Sequence, residues 1–83
     1  MSIVDPSQLK MARSALGWST QKLSEESHVS SRTLNRMETT EGFAAATKAN
    51  LSLVQSTFER AGIEFVGSAD KGPGVRLWKN VDT

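Results

Sequence analysis

The sequence predicts a mainly α fold, a bundle of four to five helices followed by a C-terminal β-hairpin. Three observations carry that expectation. Apolar residues recur at helical spacing between Leu9 and Phe58. Oxygen-bearing side chains stand where helices would begin, at Asp5, Ser19 and Ser30, and Gly17 and Gly62 stand where helices would end. Beyond Gly62 the apolar period shortens to two on either side of a turn-rich segment.

Residues 1–4 read as a loose lead-in. Asp5-Pro6 is a cap followed by proline in the first turn, and Leu9, Ala12 and Leu16 then share one face, with Ala15 alongside. This gives a first helix over about residues 6–16, closed by Gly17 in a left-handed conformation. Trp18 is too large to leave in water and is expected in the core where the first two helices meet. A second helix runs from about residue 20 to 26 with Leu23 inward, and a third from about 30 to 38 with Leu34 and Met37 on one face. Thr39-Thr40-Glu41-Gly42 reads as a turn. From Ala44 to Ala61 the pattern is helical again, with Leu51, Val54 and Phe58 in phase. It stands open whether this is one helix or two, with Asn50 as a candidate internal cap. Ile63–Val66 and Val75–Trp78 then read as strands around a Gly-Pro-rich turn. An isolated hairpin is marginal in water, so this one must pack on the helices or on a second subunit; Trp78 could serve either contact.

The second and third helices hold the chemistry. Ser27-His28-Val29 joins them and is too short for a loop, so the helices must cross steeply. On the third helix Ser31, Arg32, Asn35 and Arg36 lie opposite Leu34 and Met37. That solvent-facing strip of two guanidiniums, an amide and a hydroxyl holds the side-chain types that read base edges.

Composition narrows the alternatives. Eighty-three residues make one domain with one small core: residues 1–62 carry the tight helix pair, and 63–83 form a hairpin extension of the same unit. There is no cysteine, so neither disulfides nor thiolate metal sites are available. His28 is the only histidine and reads as a turn residue; no metal-ligand spacing, no cofactor motif and no nucleophile–base arrangement is legible, so an enzyme is not expected. No apolar run approaches a membrane span, and the first residues lack the basic and apolar regions of a signal peptide, so a cytoplasmic protein is expected. Ten Lys+Arg against nine Asp+Glu give a net charge of +1, so any grip on nucleic acid must come from a local patch.

With the helices placed this way, the chain resembles the helix-turn-helix regulators of the Xre group, which includes the lambdoid phage repressors and Cro proteins. Arg13, Leu16-Gly17-Trp18-Ser19, Leu23, Val29-Ser30, Arg32-Thr33-Leu34, Arg36-Met37-Glu38 and Glu41-Gly42 carry the resemblance, which spans about residues 6–62. The ending, Ala61–Phe65 followed by Gly72–Leu77, is similar to that of small bacterial members. The resemblance implies a lambda-repressor-like bundle with base contacts from Ser31, Arg32, Asn35 and Arg36. It implies phosphate contacts from Ser19, Thr20, Lys22, Ser30 and Thr39, and a structural ion pair between Arg13 and Glu38. The chain departs from the family pattern at Thr20 (often Gln), Ser24 (usually Ala) and His28 (usually Gly). It also carries Phe43-Ala44-Ala45-Ala46 where relatives often carry basic residues.

The function expected from this is sequence-specific binding of double-stranded DNA by a transcriptional regulator, a repressor, with the third helix in the major groove. A homodimer on half-sites about 10 bp apart is expected, joined through the region after the third helix or through the hairpin. Two alternatives compete. One is an antitoxin that represses its own operon and holds a toxin with its tail. The other is a protein-interaction module that keeps the fold without binding DNA.

Overall fold

Side-chain caps fix where each helix begins. Asp5, Ser19, Ser30, Thr39 and Thr47 each accept a hydrogen bond from a backbone N–H of the following turn. They open α1 (Pro6–Leu16), α2 (Thr20–Ser27), α3 (Ser31–Met37), α4 (Thr40–Ala45) and α5 (Lys48–Arg60). Strands β1 (Ile63–Val66) and β2 (Gly74–Leu77) follow as an antiparallel hairpin that pairs Ile63 with Leu77 and Val66 with Gly74. The computed structural model describes residues 3–78, so the outer ends of both expected segments, residues 1–2 and 79–83, lie outside the described residues. Among the described residues no helix is long and apolar enough to cross a membrane.

The core is one cluster. Leu9 and Ala12 of α1, Leu23 of α2, Leu34 and Met37 of α3, and Val54 and Phe58 of α5 meet the inward side chains of β1, Ile63 and Phe65. Phe58 is at the centre, stacked on Trp18 on one side and edge-on to Phe65 on the other, each at 6.0 Å between centroids. The hairpin is therefore part of the folded unit: β1 packs on α5 and β2 on α1.

Gln8 ties α1 to the hairpin and is fully buried. Its Oε1 accepts the N–H groups of Val4 (2.7 Å) and Asp5 (3.1 Å), and its Nε2 donates to the carbonyls of Gly74 (2.9 Å) and Val66 (3.2 Å). Asp5 and Gln8 thus form a reciprocal capping box, and all four partners of the buried amide are backbone groups.

Three expectations are corrected. Ile3 is not part of a loose lead-in; it is 8% exposed and joins the core, with its N–H on Oε1 of Gln55. Thr39–Gly42 is not a plain turn but the cap and first turn of α4. Of the two arrangements left open for 44–61, a short helix followed by a longer one is found, broken at Ala46 and Thr47; Thr47 rather than Asn50 caps the second, because Ala46 is extended (φ −67°, ψ 142°). Trp18, in the link between α1 and α2, packs against the core cluster, half-buried at its rim and stacked on Phe58 of α5. Trp78 follows β2 and is 59% exposed, so it does not cover the helices of its own chain.

Candidate nucleic-acid interface

Three residues, His28–Ser30, connect α2 to α3. His28 closes α2 in the left-handed region (φ 64°), the one non-glycine residue with positive φ among the described residues. That conformation turns the chain within one residue and lets Ser30 cap α3 two residues later. Val29 seals the turn by burying its side chain, and the buried Ser27 hydroxyl accepts the Val29 N–H at 3.2 Å. A turn this short, plugged by a valine and bonded internally, fixes α3 relative to α2.

A second restraint comes from α1. Arg13 Nε donates to Glu38 Oε2 at 2.6 Å and Nη2 to Glu38 Oε1 at 2.9 Å, while Nη1 reaches the Trp18 carbonyl at 3.1 Å. The expected ion pair is therefore formed, as a two-point fork from α1 to the cap at the end of α3. Glu38 raises the pKa of Arg13 above its ordinary value, chiefly through these hydrogen bonds, against the opposing effect of burial.

Held in this way, α3 buries Leu34 and Met37 and leaves Arg32, Asn35 and Arg36 exposed, with Ser31 half-buried at its start. The four expected base-reading side chains share one face, as helical spacing requires. Among the described residues no hydrogen bond or ion pair engages the side chain of Arg32 or Arg36, so both guanidiniums are free to donate.

The five expected phosphate ligands divide. Ser19 is exposed, and its hydroxyl accepts the Lys22 N–H at 3.0 Å while its own proton remains available to an anion. Thr20 is half-buried beside it at the start of α2. Lys22 is exposed but pairs with Glu26 at 3.2 Å and sits 6.0 Å from the Trp18 ring centre, so a phosphate would have to draw it away from a surface ion pair. Ser30 donates its proton to Thr33 Oγ1 at 2.9 Å, and Thr39 donates its proton to the Arg36 carbonyl at 2.7 Å. Both hydroxyl protons are committed within the protein, and the Thr39 N–H is committed as well, to the Arg36 carbonyl at 3.0 Å.

One feature that sequence reasoning missed flanks this face. Gly42 lies so close to the end of α3 that a Cβ there would fall 1.8 Å from the Arg36 carbonyl oxygen. Thr39 caps α4 and bonds that same carbonyl, so α4 is docked directly onto the helix that carries the arginines. Together with the start of α5, α4 and α3 enclose a recess of about 150 Å³ lined by Thr33, Arg36, Met37, Ala46, Thr47 and Asn50, among others. The sequence signal for α4 was a threonine cap followed by Glu41 in the first turn.

Among the described residues, no group of three or more His, Cys, Asp or Glu side chains is placed to hold a metal. No family model matches the chain, and no curated protein or solved structure matches it.

Proposed function

We propose that the chain is a sequence-specific double-stranded DNA-binding regulator of Xre helix-turn-helix type, acting in the cytoplasm as a repressor. The observation that supports this best is the face of α3. Arg32, Asn35 and Arg36 point to solvent on a helix fixed from two sides, by the plugged turn at His28–Ser30 and by the Arg13–Glu38 fork. A solvated helix has no need of such bracing, whereas reading base edges requires side chains held in register with a rigid groove.

In this reading α3 lies in the major groove. Arg32 and Arg36 donate to guanine O6 and N7, Ser31 and Asn35 add hydrogen bonds, and Ser19 and Thr20 at the start of α2 hold a backbone phosphate. Lys22 adds a sequence-independent charge once released from Glu26. Since the whole chain carries a net charge of only +1, non-specific affinity is low and specificity rests on the base contacts. A single module of this size gives limited affinity, so the active form is a homodimer on a near-palindromic site.

The test is an unbiased in vitro selection of duplex DNA with the purified chain at near-physiological salt. Enrichment of a near-palindrome with half-sites about 10 bp apart supports the reading. A folded protein that enriches nothing refutes it and points to the interaction module.

A further inference from the structure

We propose that Thr39 is a positioning residue for base reading: it pins the last turn of α3 and so sets the base that Arg36 reaches. This rests on the DNA-binding reading above, and it gives Thr39 a role other than the phosphate contact that the family resemblance implies.

The short length of α3 makes its ends matter. Ser31–Met37 is seven residues, less than two turns. A helix that short does not hold itself in water. Its last carbonyls have no donors within the helix, so its last turn frays unless other groups meet them. Arg32 lies in the first turn and Arg36 in the last, so the two arginines depend on different ends. Ser30 closes the first end: its hydroxyl accepts the Thr33 N–H at 3.2 Å and donates to Thr33 Oγ1 at 2.9 Å.

Thr39 closes the second end. Its N–H donates to the Arg36 carbonyl at 3.0 Å and its hydroxyl donates to the same oxygen at 2.7 Å. A carbonyl oxygen carries two lone pairs, and here one residue supplies two donors to them. The same hydroxyl accepts the Gly42 N–H at 3.0 Å, so the bond to Arg36 is built into the cap of α4. Gly42 closes on this oxygen from the other side. Either side of Arg36 in space, Met37 is sunk in the core and Glu38 is held by Arg13. The Arg36 backbone is thus bracketed while its guanidinium stays exposed.

The consequence is specific to one base. Reading a base edge needs a side chain placed to within about 0.5 Å. A frayed last turn would leave the Arg36 charge near the DNA but let it reach phosphates and neighbouring bases. Discrimination at its own base would be lost, and sequence-independent attraction would be kept. A phosphate ligand would behave in the opposite way, since its removal weakens every duplex alike.

The test uses the full chain, its selected operator, a set of single-base operator variants and a scrambled duplex. Thr39→Ser keeps the hydroxyl and should bind them all as wild type does. Thr39→Val, folded by circular dichroism, should weaken the operator about three- to tenfold. It should lose preference at the base that Arg36→Ala relaxes, keep the preferences at the other positions and bind the scrambled duplex as before. Thr39→Asp separates positioning from capping. It still offers an acceptor to the Gly42 N–H, but it brings no proton for the Arg36 carbonyl. Its charge should weaken all duplexes, and the same single preference should be lost. Without DNA, Thr39→Val and not Thr39→Ser should speed amide exchange in the last turn of α3. Uniform loss at all positions in Thr39→Val, equal loss on the scrambled duplex, or unchanged preference at the Arg36 base overturns the proposal and leaves the DNA-binding reading standing. A wild-type chain that selects no duplex removes that reading and this proposal together.

Discussion

Arg13 and Glu38 join the first helix to the end of the third through two parallel hydrogen bonds of 2.6 and 2.9 Å. Their side chains are 23% and 9% exposed, so the pair is shielded from solvent far more than the ion pairs Lys22–Glu26 and Arg76–Glu64. Arg13→Ala would leave the Glu38 carboxylate mostly buried without its partner. The expected loss is about 2–3 kcal/mol, somewhat below the range for a fully buried pair. Urea unfolding measures it, and a double-mutant cycle with Glu38→Ala should return a coupling of more than about 1 kcal/mol. Lys22→Ala should cost less than about 0.5 kcal/mol of stability.

His28 holds a left-handed conformation that costs an L residue about 1–2 kcal/mol. Part of that gain is offset by the greater freedom of glycine in the unfolded chain. His28→Gly should therefore stabilise the fold by about 0.5–1 kcal/mol, and His28→Val should destabilise it, both read from thermal or urea midpoints.

Gly42→Ala should be among the most damaging single-methyl additions in the chain. The new Cβ would fall 1.8 Å from the Arg36 carbonyl, a backbone atom that cannot rotate aside. The α3–α4 junction must open, at a cost of about 2–3 kcal/mol, and DNA affinity should fall with it because Arg36 sits on that junction. Unfolding and binding titrations on the same variant measure both.

Acid should weaken the fold at two surface carboxylates. Asp5 is held below its ordinary value of 3.8 by the side-chain and backbone hydrogen bonds of Ser7. Glu64 is held below 4.5 chiefly by the hydrogen bond from Trp78, with help from Arg76. Each is lower in the folded than in the unfolded state. Their stabilisation is therefore present above the ordinary values and is lost as pH falls through the lowered folded ones. Asp5→Asn and Glu64→Gln should each flatten the acid limb of a plot of melting temperature against pH, leaving the neutral plateau less affected.

The two ends of the fold were legible to different degrees. Caps at Asp5, Ser19 and Ser30 and the stop at Gly17 are local chemistry, so the bounds of α1 to α3 could be read within a residue or so. The outward placing of Arg32, Asn35 and Arg36 follows from periodicity alone. The missed features depend on partners distant in the chain or on close backbone approach. Ile3 is buried because it meets α5, and Gln8 because the hairpin carbonyls accept its amide. Asp5 was legible as a cap, but neither the capping box it forms with Gln8 nor the reach of that glutamine to the hairpin was. Thr39–Gly42 looked like a turn because glycine there signals a break; its function is to let α4 touch α3.

The central claim is that α3 reads bases, and binding of Arg36→Ala to a selected operator tests it most directly. Affinity for the operator and for a scrambled duplex should be measured by fluorescence anisotropy across a salt series, beside wild type and Lys22→Ala. The account predicts that Arg36→Ala loses about 1–3 kcal/mol on the operator and relaxes preference at one base position. It predicts that Lys22→Ala weakens both duplexes alike and lowers the salt slope by up to about one. If instead Arg36→Ala, folded by circular dichroism, binds operator and scrambled duplex as wild type does, α3 reads nothing and the account is contradicted.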